Sequence, residues 1–167
     1  MWKKIFLCSL SLCLLLLGNL HRCCSLSING TELQGLYSPK DVKMAEQTAL
    51  SAAEELLSGH AMLPEIEKTW SLSIIPPMGG RMYLTDAVLS ACPGVKKGNG
   101  VSVNGVFLGT VTDGDLLREK TRAFILNQMP NSAVFGSISG ELQIETVYTR
   151  KNHDTNYDDM LLLISGM

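Results

Sequence analysis

Histidine and aspartate side chains cluster at one place in this sequence, close to its C-terminal end. His153 and Asp154 are followed by Asp158 and Asp159, and imidazole and carboxylate groups are common ligands of divalent metal ions. The two later aspartates also suit the first turn of a helix, where the helix dipole stabilises negative charge. We favour the helix interpretation, so the sequence predicts no metal-binding residues.

Two further segments have polar residues in spacings that resemble known sites. Residues 113–115 read Asp-Gly-Asp, as in a calcium loop, but the other ligands and the closing glutamate are missing. Capping of a helix by Asp113 explains this segment better. Residues 136–140 read Gly-Ser-Ile-Ser-Gly, with isoleucine where a G-x-S-x-G nucleophile motif needs serine. The sequence therefore predicts no catalytic residue and no cofactor.

The composition is that of a globular protein rather than of a disordered one. Hydrophobic residues make up 46% of the 167 residues and charged residues 18%, with a formal net charge of −2. No long run of like charge occurs, so the sequence lacks the basic footprint of a nucleic-acid-binding protein.

The N-terminal residues differ in character from the rest of the chain. Lys3 and Lys4 precede an uncharged apolar run over residues 5–17, which is the layout of a secretory signal. The run is shorter than the roughly 20 apolar residues of a spanning helix. We predict that residues 1–25 form a signal peptide or membrane anchor and that the protein is extracytoplasmic.

The five cysteines do not form a set of disulfide partners in the sequence. Four of them lie in the apolar run or at its exit, so only Cys92 belongs to the part predicted to fold. Cys92 is expected to be a small buried residue. Lipidation of Cys23 is disfavoured because the bulky, charged Arg22 precedes it.

Two Asn-Gly pairs, Asn29-Gly30 and Asn104-Gly105, indicate that the chain contains a repeat. They start 75 positions apart (from 29 to 104), and Asn-Gly between apolar residues predicts a β-hairpin. Strands are expected over 26–28 and 33–36 in the first copy and over 101–103 and 106–112 in the second.

The same order of elements follows each hairpin. Ser38 and Asp113 are predicted helix N-caps, followed by alternating strands over 65–75 and 142–150, and then by short helices over 84–92 and 156–165. Trp70 shares one face of its strand with Leu72 and Ile74, so we expect it to pack in the core. The predicted fold is α+β, with one unit over 26–95, a glycine-rich linker over 96–100 and a second unit over 101–167.

The second unit resembles a known bacterial segment. Residues 101–111 follow the pattern V-x-V-N-G-x-x-x-G-x-V, and an acidic cap, a helix and the strand containing Glu-Thr-Val-Tyr at 145–148 come next. This arrangement is similar to the tandem repeats before the catalytic domain of secreted, chiefly clostridial, lysostaphin-type cell-wall endopeptidases. The resemblance covers residues 101–167 and, more loosely, residues 26–95.

The zinc-binding motifs of that family's catalytic domain are missing from this sequence. None of His21, His60 and His153 occurs in an H-x-x-x-D or H-x-H segment, so the resemblance implies no peptidase activity here. It implies a non-catalytic module of the cell envelope that positions, inhibits or recognises a partner, either peptidoglycan or an envelope protein. The N-terminal segment, if uncleaved, would contact the membrane. The alternatives are an N-terminal fragment of a zinc-dependent peptidoglycan endopeptidase and an unrecognised hydrolase.

Overall fold

The computed structural model describes residues 18–129 and 140–166. Within these residues the fold is α+β, with four helices and two three-stranded antiparallel sheets, which confirms the predicted fold class. The chain divides into two compact units between Pro93 and Gly94.

The first unit is a short hairpin, a long helix, an edge strand and a shorter helix. Its turn is formed by Asn29 and Gly30, both with positive φ, at 49° and 77°, as a two-residue hairpin turn requires. The sheet order is β2-β1-β3. The elements are β1 (His21–Ile28), β2 (Thr31–Glu32), α1 (Pro39–Leu56), β3 (Ile66–Ser73) and α2 (Arg81–Ala91).

The second unit repeats this topology with a longer hairpin. Asn104 and Gly105 form its turn, again with positive φ, at 52° and 78°. The sheet order β5-β4-β6 matches that of the first unit. The elements are β4 (Val95–Val103), β5 (Val106–Val111), α3 (Gly114–Gln128), β6 (Leu142–Arg150) and α4 (Tyr157–Ser165).

Both long helices begin where the sequence predicts. The Ser38 side chain accepts a hydrogen bond from the backbone N–H of Asp41 at 3.1 Å, and Pro39 occupies the first helical position, where no N–H is needed. The Asp113 carboxylate accepts from the N–H groups of Asp115 and Leu116. These caps accept hydrogen bonds from backbone N–H groups of the first turn that have no partner within the helix. Each contributes about 1 kcal/mol to stability.

Each unit has its own apolar core between sheet and helices. In the first unit the helices pack against each other and against β1, where alanines of α1 allow a close approach. The buried residues there include Leu26, Ile28, Ala45, Ala49, Ala53, Leu84 and Val88. In the second unit the core consists of Val101, Val103, Val111, Leu117, Met160 and Ile164.

Two predicted strand boundaries in the first hairpin are wrong. Strand β1 begins at His21 rather than at residue 26, because its pairing with β3 continues to Ser73 and so includes residues assigned to the signal or anchor. The return strand is Thr31–Glu32 rather than 33–36, since a two-residue turn puts the return strand directly after Gly30. Residues 1–17 lie outside the described residues.

The linker predicted over residues 96–100 is also wrong, because these residues belong to β4, the central strand of its sheet. Its glycines have a packing role instead of a flexible one. A methyl group at Gly100 would lie 2.9 Å from Val147 Cγ1 and 3.2 Å from Phe107 Cε2, so only glycine fits without displacing a neighbour.

None of the helices in the described part of the chain is long and apolar enough to cross a membrane. The loop predicted over 136–140 lies, apart from Gly140, outside the described residues.

Candidate functional site

The hairpin that carries the repeated motif has two faces with different environments. Val101 and Val103 are buried beneath the helices, so the alternate residues Gly100 and Ser102 lie on the opposite, outer face of the sheet. Paired residues of an antiparallel ladder share a face. Ser102 pairs with Phe107 on one side and with Gln143 on the other, and these three residues therefore form a row across the outer face.

Phe107 is the main apolar side chain of this outer face. It is 60% exposed, and its ring edge is next to Gly100, where the missing side chain leaves the ring uncovered. Val147 is half-buried on the other side of Gly100. The three residues form an apolar patch on the outer face, which we call the Phe107 platform.

Polar groups border the Phe107 platform along β6. Glu145 pairs with Gly100, and both Glu145 and Gln143 are exposed. The Gln143 amide donates a hydrogen bond to the Glu141 carboxylate at 3.1 Å. An exposed aromatic side chain bordered by amide and carboxylate groups can pack against the apolar face of a ring and hydrogen-bond to its polar substituents.

The predicted histidine and aspartate cluster is split by the structure. Asp158 and Asp159 lie in the first turn of α4, whose N-cap is Asn156, which confirms the helix interpretation. His153 is exposed, and Asp154 faces away from that turn toward β4 and β5. Among the described residues no group of three metal-ligating side chains is found.

Asp154 is the centre of a polar network that the sequence did not reveal. Its carboxylate accepts hydrogen bonds from Lys96 at 2.5 Å, Thr112 at 2.7 Å and Thr110 at 3.3 Å. Burial raises the pKa of Asp154, but the bonds from Lys96 and then Thr112 outweigh it, so the pKa lies below its ordinary value. The network fastens the loop after β6 onto the hairpin and has a positioning role.

The thiol groups of the described cysteines are buried in the first unit. Cys92 is buried as predicted, and burial raises its pKa. Cys23 and Cys24 are fully buried in β1. The sequence did not predict this burial, because both residues lie at the predicted exit of the signal. Burial is the main cause that raises the pKa of Cys24, so this thiol is kept protonated and is a poor nucleophile.

The prediction that Trp70 packs in the core is wrong. Trp70 is 43% exposed and its neighbours Leu72 and Ile74 are more exposed still. The helices pack over β1, and β3 lies at the edge of the sheet, so apolar residues on its inner face stay uncovered. The guanidinium of Arg22 stands 5.1 Å from the centre of the Trp70 ring.

The chain matches no family model, no curated protein and no solved structure.

Proposed function

We propose that this chain is a non-catalytic extracytoplasmic module of the bacterial cell envelope, which recognises peptidoglycan and so positions a partner at the wall. The observation that carries the proposal is the Phe107 platform. It lies on the hairpin whose sequence resembles the repeats of cell-wall endopeptidases.

The exposure of Phe107 supports a binding role, because a side chain that stays mostly in water contributes little to the stability of the fold. The residues of the motif that build the hairpin are the turn pair Asn104-Gly105 and the buried valines. A large aromatic side chain that is 60% exposed on a strand leaves apolar surface in water, which binding of a ligand would remove. Aromatic residues are also enriched among the residues that dominate binding energy.

The polar border of the platform favours a ligand with ring and amide groups. Gln143 offers an amide donor and acceptor, and Glu145 a carboxylate acceptor. The N-acetylated sugars and short peptides of peptidoglycan present hydroxyl and amide groups, and the sugar rings have apolar C–H faces that can pack against an aromatic ring. The non-catalytic part of the proposal rests on the sequence, which lacks the H-x-x-x-D and H-x-H motifs of the resembled peptidases.

The test is co-sedimentation of the full chain with insoluble cell-wall sacculi, with and without zinc, while soluble wall fragments are measured. The full chain is used because removal of the predicted signal or anchor, residues 1–25, would also remove the first half of β1, which begins at His21. We expect binding without release of fragments. Phe107→Ala should weaken binding about tenfold, which corresponds to about 1.4 kcal/mol.

The matched control is Leu162→Ala, which removes an apolar side chain of similar exposure (67%) from α4 in the same unit. It should leave sacculus binding unchanged. Zinc-dependent release of fragments would favour the endopeptidase alternative, and zinc-independent release an unrecognised hydrolase. Absence of binding, or equal weakening by both variants, would contradict recognition through the Phe107 platform.

A further inference from the structure

The backbone of β3 has a free hydrogen-bonding edge in the first unit. The Asn29 N–H donates to the Glu65 carbonyl at 2.9 Å, and alternate residues along an antiparallel ladder bond to the same neighbour. Glu67, Thr69 and Ser71 therefore direct their backbone groups toward β1. Lys68, Trp70 and the other even-numbered residues direct theirs away from it, and no described strand pairs with that edge.

Strand β3 lacks the features that usually prevent edge strands from pairing. Its eight residues contain no proline, and its register with β1 runs without a bulge. Lys68 is the one positive charge in the strand, and its ammonium lies 2.6 Å and 2.9 Å from the two carboxylate oxygens of Glu46 on α1. The charge that would repel another strand is therefore neutralised within the unit.

The apolar side chains of β3 lie in one row along this edge. Trp70 is 43% exposed and Leu72 68% exposed, and both are on the face that carries Lys68. The opposite face presents Thr69, Ser71 and Glu67. An occupant of the edge would thus gain backbone hydrogen bonds and apolar contacts at alternate positions.

We propose that the occupant is a second copy of this chain, with the two β3 strands paired antiparallel about a two-fold axis at Thr69. Two three-stranded sheets then become one six-stranded sheet. This interface is isologous, because each copy contributes the same strand. The inference does not depend on the proposed function, which concerns the second unit.

The sequence of β3 is complementary to itself in this register. Each pair of opposite residues has numbers that add to 138, so Ile66 lies opposite Leu72 of the second copy, and Lys68 opposite Trp70 of the second copy. Glu67 lies opposite Ser71 of the second copy. No like charges face each other, and the pairing uses almost the whole strand.

The first test compares sedimentation velocity of the full chain and of two lysine variants over a range of concentrations. A neutral detergent prevents association through the apolar residues 5–17. Leu72→Lys should raise the dimer dissociation constant at least tenfold, because it puts an unpaired charge in the interface. Leu162→Lys changes a leucine of matching exposure (67%) in the other unit and should change the constant less than twofold.

The second test fixes the register by disulfide cross-linking. Thr69→Cys should form a covalent dimer under mild oxidation, because opposite residues of a non-hydrogen-bonded pair are about 4.5 Å apart at Cα. Ser71→Cys is the control, since the two added thiols would be about 13 Å apart along the strands. The chain without an added cysteine gives the background, because its own thiols are present in every variant.

Three results would overturn the proposal. One is a chain that stays monomeric at submillimolar concentration, which would leave the edge to an extended peptide of another protein. Another is equal weakening of the dimer by the two lysine variants. The third is cross-linking through position 71 but not through position 69.

Discussion

The two units have the same topology but fasten their last loop in chemically different ways. In the first unit the loop between β3 and α2 lies against the ring of Tyr37, and the N–H of Gly79 donates to the Leu36 carbonyl at 3.0 Å. In the second unit the corresponding loop is held by the Asp154 network, and the N–H of Thr155 donates to the Thr110 carbonyl at 2.7 Å. One position in the fold is thus filled by apolar packing in one unit and by a charge network in the other.

The contact between the Tyr37 ring and the loop of the first unit involves no ionised group. Tyr37 is fully buried, and its hydroxyl donates to the Gln34 carbonyl at 2.8 Å. Burial, and then the nearby Tyr83, raise the pKa of Tyr37, so the phenol keeps its proton. In the second unit the corresponding loop is held by the ionised carboxylate of Asp154. The comparison indicates that the shared topology puts the last loop beside the same part of each hairpin. The side chains at that place decide whether stability depends on the volume of a buried group or on pH.

The largest effect is expected from Tyr37→Ala, which removes the apolar fastening of the first unit. Truncation of a fully buried aromatic side chain costs about 3–5 kcal/mol, because it leaves a cavity. The backbone of Tyr37 pairs with that of Cys24. The measurement is chemical denaturation together with the rate at which the buried Cys92 thiol is labelled. Tyr83→Ala, at a half-exposed tyrosine of the same unit, should cost less than about 1 kcal/mol. Similar losses for both variants would contradict the role given to Tyr37.

A smaller effect is expected from a pair of glycine substitutions next to each other in the same loop. A methyl group at Gly79 would lie 2.3 Å from two ring atoms of Tyr37, whereas Gly80 has open space. Gly79→Ser should cost about 1–3 kcal/mol through overpacking. Gly80→Ser should be neutral or stabilising by a few tenths, because Gly80 is the N-cap of α2 and makes no side-chain cap. Thermal unfolding of both variants checks the difference, and equal stabilities would disprove the contact.

The third effect depends on pH and belongs to the second unit. A carboxylate whose pKa is lowered in the folded state stabilises it above the ordinary value of about 3.9, and this contribution is lost as pH falls through the lowered pKa. Asp154→Asn should therefore cost about 1–2 kcal/mol at neutral pH and less in acid. The measurement is the free energy of unfolding from pH 7 to pH 2.

Thr112→Ser is the control for the pH experiment, because it keeps the hydroxyl that donates to Asp154. It should retain the acid dependence of the wild-type chain. If Asp154→Asn keeps the same acid dependence, the network does not account for it.

Local signals in the sequence predicted the elements well but not their neighbours. The Asn-Gly turns, the Ser38 and Asp113 caps and the existence of the strands β3 and β6 depend on residues within a few positions of each other, and all are present in the structure. The role of Gly100 could not be predicted in this way. Its flanking side chains, Phe107 and Val147, come from the two other strands of the sheet.

The same reason explains why the sequence alone does not reveal the candidate site or the exposed edge strand. An alternating strand tells which residues share a face, but not whether a helix covers that face. Trp70 therefore has the pattern of a core residue and the environment of an exposed one. Phe107 belongs to the recognised motif, yet its place in a row with Ser102 and Gln143 required the register of three strands.

The sequence by itself determined the α+β class, the repeated order of elements and the helix starts, because backbone preferences and capping bonds act over short distances. The tertiary structure alone decided that residues 96–100 form a central strand. It also decided that Asp154 holds the loop after β6 against the hairpin instead of lying with Asp158 and Asp159 as a possible metal ligand. It further decided that β3 lies at the edge of its sheet, where no other strand among the described residues pairs with it. Each of these depends on which strands become neighbours and on where the helices pack, which are properties of contacts between residues far apart in the chain.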